Sequence, residues 1–267
     1  MTGHGIFPFG RESLDRPPRR PTHAAEVFVL GVYPSALHVR WTAGLDDSTV
    51  TVAALAVDNE PVVFWDGNDA SQRVDEWRAA IGFPDDGSWG TVGVAPTNGS
   101  SGRVVVTEVL DPLGVESDAA WMTDALPWFF VNNGPREQGG AITERYNPFA
   151  VHAGLPTARL PARPTSDELV ALAIETQRDR MRDEIATSAA PLIVTLGDEA
   201  WRTLVGVVDS HDVATARLDR TSYGPRGTVK IASSSFEWLP LAHPGIVRRA
   251  GPWRDAHDAW KLATTAQ

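Results

Sequence analysis

Apolar positions fall into two rhythms along this chain. Val27-Phe28-Val29-Leu30 and Leu192-Ile193-Val194-Thr195-Leu196 are short runs with almost no polar interruption, the pattern of strands covered on both faces. They predict strands over 26–30 and 191–196. Thr49 to Val57, a turn at Asp58-Asn59-Glu60-Pro61 and the run Val62-Val63-Phe64-Trp65 together predict a hairpin. Val104 to Leu110 is rich in β-branched residues, and Trp121 to Leu126 and Thr228 to Ala232 predict further strands, the last leading toward a histidine loop. The helical rhythm runs from Asp69, as cap, through Val74, Trp77 and Ile81. It returns after Thr165-Ser166-Asp167-Glu168, which has capping-box spacing, in Leu169, Leu172, Ala173, Thr176, Arg180, Met181 and Ile185. That is the longest predicted helix; shorter ones are expected over 198–205 and 253–262.

Between these segments, residues 1–23 contain Pro8, Pro17, Pro18 and Pro21 and read as an irregular lead-in. Gly82 to Gly102 is rich in turn residues. Gly134 to Pro164, with Pro135, Pro148, Pro156, Pro161 and Pro164, reads as one long loop. Strands alternating with helices imply an α/β fold with a mainly parallel central sheet flanked by helices. No Pro/Gly/Ser-rich linker divides the chain, so one domain is expected over 24–267.

Composition narrows the chemistry. The 267 residues include no cysteine, which excludes disulfides, thiolate zinc sites, cysteine nucleophiles and cysteine-ligated iron–sulfur clusters. No apolar run approaches the roughly 18 residues of a membrane span, and Met1-Thr2-Gly3-His4-Gly5 lacks a signal peptide's layout, so a soluble, cytoplasmic protein is expected. The net charge of −10 disfavours broad affinity for nucleic acid. Charge is local, however: Arg248, Arg249 and Arg254 follow His243, and Arg16, Arg19 and Arg20 precede the first strand.

Three segments stand where loops at the carboxyl ends of parallel strands would gather a ligand. They are Gly31-Val32-Tyr33-Pro34-Ser35 after the first strand, Leu192-Ile193-Val194-Thr195-Leu196-Gly197, and Leu241-Ala242-His243-Pro244-Gly245 near the C-terminus. In this order, with Trp121-Met122-Thr123-Asp124-Ala125-Leu126 between them, they resemble the uracil-DNA glycosylase superfamily, a branch without an iron–sulfur cluster. The resemblance runs from about Ala24 to Trp260, through a weakly matched middle. It implies the family's fold and a DNA glycosylase that hydrolyses the N-glycosidic bond of a flipped pyrimidine, uracil by precedent, in base-excision repair. It implies DNA as partner, a monomer, and neither cofactor nor metal nor membrane.

By resemblance, His243 donates to the pyrimidine O2 as charge grows there, and Gly31, Val32, Tyr33, Pro34 and Ser35 line the sugar and water side. Pro244, Gly245, Arg248 and Arg249 would meet DNA. Phe64, with Trp65 as second choice, would stack on the flipped base. Two positions depart from the family. Tyr33 stands where some members carry a water-positioning Asp or Asn, and its unperturbed pKa of about 10 makes it a poor base. Asp124 stands where members that select uracil commonly have Asn. An ionised carboxylate only accepts hydrogen bonds, so it opposes uracil O4 and suits a cytosine-type amino edge. Asp124 could instead activate water, replacing the acid missing from the first loop, and a one-residue shift would put Thr123 at the base-reading position.

Competing readings remain at this point. One is excision of a modified cytosine from foreign or phage DNA. Another is a catalytically impaired member that binds nucleic acid or a protein. A third is an unrelated hydrolase using Ser35 and His38, which lacks the Gly-x-Ser-x-Gly elbow.

Overall fold

The computed structural model describes residues 4–45, 48–134, 137–212, 218–220 and 223–265; Met1, Thr2, Gly3 and Pro135, named above, lie outside them. The elements begin with β1 (Val27–Gly31), β2 (Ala36–Leu45), β3 (Ser48–Asn59), α1 (Ala70–Ile81) and β4 (Thr91–Val94). Next, α2 (Ser100–Val105) runs through a π turn into α3 (Asp111–Leu113), before β5 (Ala120–Asp124). Then α4 (Gln138–Ala141) runs through a second π turn into α5 (Asn147–His152). The chain closes with α6 (Ser166–Ser188), β6 (Leu192–Leu196), α7 (Asp198–Val207), β7 (Ser210–His211), β8 (Gly227–Ile231), β9 (Ser234–Leu241), α8 (Pro244–Val247) and α9 (Pro252–Thr265).

These elements form two compact units, each assembled from separated segments. The first takes residues 1–16, 34–100 and 128–163; the second takes 17–33, 101–127 and 164–267. The expectation of one domain from residue 24 carries no trace of this division, because the chain passes repeatedly between units without a linker to mark the passage.

The second unit is α/β. Its six-stranded sheet has the order β5-β1-β6-β9-β8-β7. The strands β5, β1, β6 and β9 are mutually parallel, while β8 runs antiparallel to β9 and β7 antiparallel to β8. Thus the sheet is mixed and mostly parallel. β1 and β6 are buried at every position, which is why their sequences read as unbroken apolar runs. The predicted strands over 26–30 and 191–196 and the predicted helices over 165–185, 198–205 and 253–262 are present, each within a few residues of its expected ends. The capping box forms: the Glu168 N–H donates to Thr165 Oγ1 and the Thr165 N–H to Glu168 Oε2 at 2.9 Å. Trp201 of α7 packs on Trp238 of β9 with ring centroids 4.5 Å apart, and the Trp238 indole donates to Thr195 Oγ1.

Chain direction also sets where this sheet opens. From β1 the chain eventually reaches β5 on one side; from β6 it reaches β9 on the other. The topological switch therefore lies between β1 and β6, beyond Gly31 and Gly197.

The first unit is built on a three-stranded antiparallel sheet, β3-β2-β4, with α1 and the α4–α5 segment. Its core holds Phe7, Phe9, Trp41, Tyr146 and Phe149. The Tyr146 hydroxyl accepts from the Phe9 N–H at 2.6 Å and donates to the Pro156 carbonyl at 3.0 Å. Phe7 and Phe9 of the irregular N-terminal stretch are accordingly part of this core.

Four sequence expectations change. Thr49–Val57 does pair as a hairpin strand, but its partner is β2 upstream, since Val62–Trp65 forms a turn with the Trp65 N–H on the Val62 carbonyl. Val104–Leu110 is helical: Val105, Val109 and Leu110 bury one face, so packing overrides β-branched propensity. The 134–164 stretch contains α4 and α5, with Pro148 at the second position of α5, where the π turn passes into it. Finally, β8 does not lead into the histidine loop; β9 does. Its Pro240 disguises the strand, yet is tolerated because β8 pairs with β9 only as far as Trp238. No helix among the described residues is long and apolar enough to cross a membrane.

Candidate functional site

Strand register builds the site in the second unit. Gly31, the last residue of β1, lies opposite Asp124, the last of β5. Beyond them the Ala125 N–H donates to the Gly31 carbonyl at 3.1 Å and the Leu126 N–H to the Val32 carbonyl at 2.9 Å, so the two chains stay paired into the first loop. Val32 is buried and Tyr33 half-buried.

Asp124 is only 4 % exposed, and its carboxyl oxygens receive no hydrogen bond from the described residues. Burial pushes its pKa up to about 7; the Arg180 guanidinium opposes that rise, and Glu184 adds to it. The carboxyl is thus poised between its two protonation states near neutral pH.

Arg180 of α6 holds the strand end rather than the Asp124 carboxyl. It donates to the Asp124 and Ala125 carbonyls at 2.7 and 2.9 Å, to Thr123 Oγ1 at 3.2 Å and to Glu184 Oε1 at 2.8 Å. Thr123 is thus buried with its hydroxyl oxygen accepting from Arg180. Glu184 is 6 % exposed, and its second oxygen has no partner among the described residues. Sequence reasoning missed this brace, although a charged residue on the apolar stripe of the longest helix was its signal.

Three strands along from β5, β9 ends in Leu241 and gives way to His243. The Gly197 N–H, at the end of β6, donates to the Leu241 carbonyl at 2.8 Å. Gly197 has φ +98°, and a Cβ there would approach the His243 Cβ at 3.2 Å. His243 is exposed and caps α8; its Nδ1 accepts from the Gly245 N–H at 3.1 Å. With Nδ1 accepting, a neutral ring carries its proton on Nε2. Pro244 is buried in the first turn of α8, whereas Arg248 and Arg249 are exposed at its end.

Behind this loop is a second arrangement that the sequence did not announce. Tyr223, hydrogen-bonded to the Ala242 backbone, also bonds His257 Nδ1. The buried His257 ring meets the Glu108 carbonyl through Nε2 at 3.0 Å, and Lys261 and Arg254 pair with the Glu108 carboxylate at 2.8 and 3.3 Å. Burial holds His257 below its ordinary pKa. Arg254, grouped above with the basic residues after His243, is spent on Glu108 and Asp258. Arg19 and Arg20 likewise serve the fold: Arg19 donates to Ser117 Oγ, and Arg20 stacks over the Trp121 ring at 5.0 Å.

The remaining predicted residues belong to the first unit. Pro34 is buried, and the Ser35 N–H donates to Oε1 of the buried Glu60 at 3.1 Å. Ser35 and His38 share no hydrogen bond, so no nucleophile–base dyad forms. Phe64 is half-buried with φ +53°, a left-handed conformation costly for a bulky residue. Trp65 lies in the core, its indole donating to Asp69 Oδ1 at 2.6 Å. Of the two aromatics, Phe64 is the one with accessible surface.

Compared with known proteins, the chain matches no family model and no curated protein sequence.

Proposed function

We propose that this protein is a DNA glycosylase of the uracil-DNA glycosylase kind, hydrolysing the N-glycosidic bond of a pyrimidine turned out of its strand. The observation that carries the reading is the placement of two groups beyond the carboxyl ends of parallel strands in one mixed sheet. One is a buried carboxyl without a hydrogen-bond donor, Asp124; the other is a histidine whose proton is directed to Nε2, His243. Their strands are three spacings apart, about 14 Å at the usual separation. The switch point between β1 and β6 lies between them.

The chemistry follows from those two groups. As the bond from the sugar C1′ to the base nitrogen breaks, its electron pair goes to the base, and the His243 Nε2–H hydrogen-bonds the developing anion at O2. Water attacks C1′, and Asp124 accepts its proton as general base. The departing base is then protonated by solvent. Asp124 so placed supplies the acid that Tyr33 does not, and its pKa near 7 suits the task.

The test is incubation with oligonucleotides carrying uracil, hypoxanthine, 5-hydroxymethylcytosine or its glucosylated form, followed by alkaline cleavage of abasic sites. Release of a pyrimidine from at least one substrate is expected and is lost in His243→Ala and Asp124→Asn. Release from none of them, or of hypoxanthine alone, contradicts the proposal.

A further inference from the structure

Arg180 spends every donor it has. A guanidinium carries five N–H groups, and here five acceptors meet them. Gln177 Oε1 takes Nε at 2.7 Å, Thr123 Oγ1 and Glu184 Oε1 take one terminal nitrogen at 3.2 and 2.8 Å, and the Asp124 and Ala125 carbonyls take the other at 2.7 and 2.9 Å. The Asp124 carboxyl receives none of them. Yet Arg180 holds the carbonyl of that same residue, and covalent geometry keeps an aspartate carboxyl within about 5 Å of its own carbonyl oxygen. A charge-assisted pair with a carboxylate is stronger than bonds to neutral oxygens, so a cation this close has to be held away.

Glu184 is what holds it. It is 6 % exposed; one oxygen pairs with Arg180 and the other has no partner among the described residues. A half-satisfied buried carboxylate costs stability, and its buried neighbours Met181 and Ile185 show that the site would accept an apolar side chain. What Glu184 supplies instead is a carboxylate that competes with Asp124 for one guanidinium, while Thr123 occupies the second N–H of the same nitrogen. The charges that act on the Asp124 carboxyl are these two, Arg180 and Glu184, both from α6. From β1 and the loop beyond it, Val27 to Ser35, comes no charged residue and one titratable group, Tyr33. On the other side of β5, Arg19 is bonded to Ser117 and Arg20 lies over Trp121.

We propose that Thr123 and Glu184 are positioning residues for the reaction: by keeping Arg180 saturated they hold its cation off the Asp124 carboxyl, which stays open to water. The inference rests on the reading of Asp124 as general base. A guanidinium released onto that carboxyl favours its ionised form and occupies the oxygens that must take the proton from water.

Carboxyl ¹³C resonances of the full chain labelled with [4-¹³C]aspartate follow this titration directly, with Asp124 assigned by its loss in Asp124→Asn. Glu184→Leu frees one N–H and removes a like charge, so the Asp124 midpoint is expected to fall by about 1–3 pH units. Glu184→Gln removes the charge but keeps an acceptor for Arg180, and the fall is smaller. Thr123→Val changes no charge and little volume, frees an N–H on the same nitrogen, and also lowers the midpoint. The pH midpoint of single-turnover base release moves with that of the carboxyl in each variant. A midpoint no lower in Glu184→Leu than in Glu184→Gln, or unchanged in Thr123→Val, overturns the inference. The titration needs no substrate, so the expected shifts in a protein that releases no base leave Arg180 in this role and overturn the glycosylase reading instead. Amide dispersion in ¹⁵N spectra reports whether each variant is folded.

Discussion

His243 rests on Gly197: a Cβ at residue 197 would come within 3.2 Å of the His243 Cβ and 3.8 Å of its ring. The glycine also sits at φ +98°, where side chains are strained whatever the space. Two requirements thus meet at one residue at the end of β6. Gly197→Ala is predicted to cost about 1–3 kcal/mol from backbone strain and to displace the imidazole. Denaturant melts report the first, and base release, falling by more than the folded fraction, reports the second.

Asp124 predicts a pH signature of stability. Its folded pKa, about 7, lies above the 3.8 of an unperturbed Asp, so between those values the folded state binds more protons than the unfolded one. The sign is therefore a cost: absent below pH 4, growing from pH 4 to 7, and full above that. At about 1.4 kcal/mol per unit it reaches on the order of 4 kcal/mol. Asp124→Asn is expected to be more stable than wild type at pH 8 and indistinguishable from it near pH 4, by urea melts at both values. Equal curves at pH 8 would show that the carboxyl is not held in this way.

The Arg180 brace predicts a non-additive pair. Arg180→Met strips the hydrogen bonds from the Asp124 and Ala125 carbonyls and leaves Glu184 buried without its cation, at a cost of about 3–5 kcal/mol. Adding Glu184→Leu removes the stranded charge and recovers a large part. A double variant as unstable as the sum of the singles would mean that the pair is not coupled.

Tyr223 ties the Ala242 backbone to His257. In Tyr223→Phe the ring packing stays while both hydrogen bonds go, so a loss of about 1–3 kcal/mol is expected. Because Ala242 precedes His243, faster amide exchange should follow at Ala242, His243 and Gly245. Unchanged exchange there would separate Tyr223 from the loop.

How much of this was legible in the sequence varies by element. β1 and β6 were visible because strands covered on both faces need apolar residues at every position, and the capping box fixed the start of α6 to the residue. β9 was hidden by Pro240, a residue that pattern reasoning excludes from strands but that here lies past the end of its neighbour's pairing. The Val104–Leu110 helix was hidden by β-branched residues whose burial on one face decides their conformation. Asp124 and His243 could be proposed from the sequence because one ends β5 and the other follows the end of β9 by two residues, each in a short ordered segment. Arg180, Glu184, Tyr223, His257 and Glu60 could not, since their roles come from contacts between segments far apart in the chain.

The most direct test of the central claim is the pH dependence of single-turnover base release from the best substrate of the oligonucleotide panel. With Asp124 as general base, the rate should rise with pH through a midpoint near 7 and then level off. Asp124→Asn should lose that rise together with most of the activity. A rate that falls as Asp124 ionises, or a full rate in Asp124→Asn, would contradict its assignment as the water-activating base.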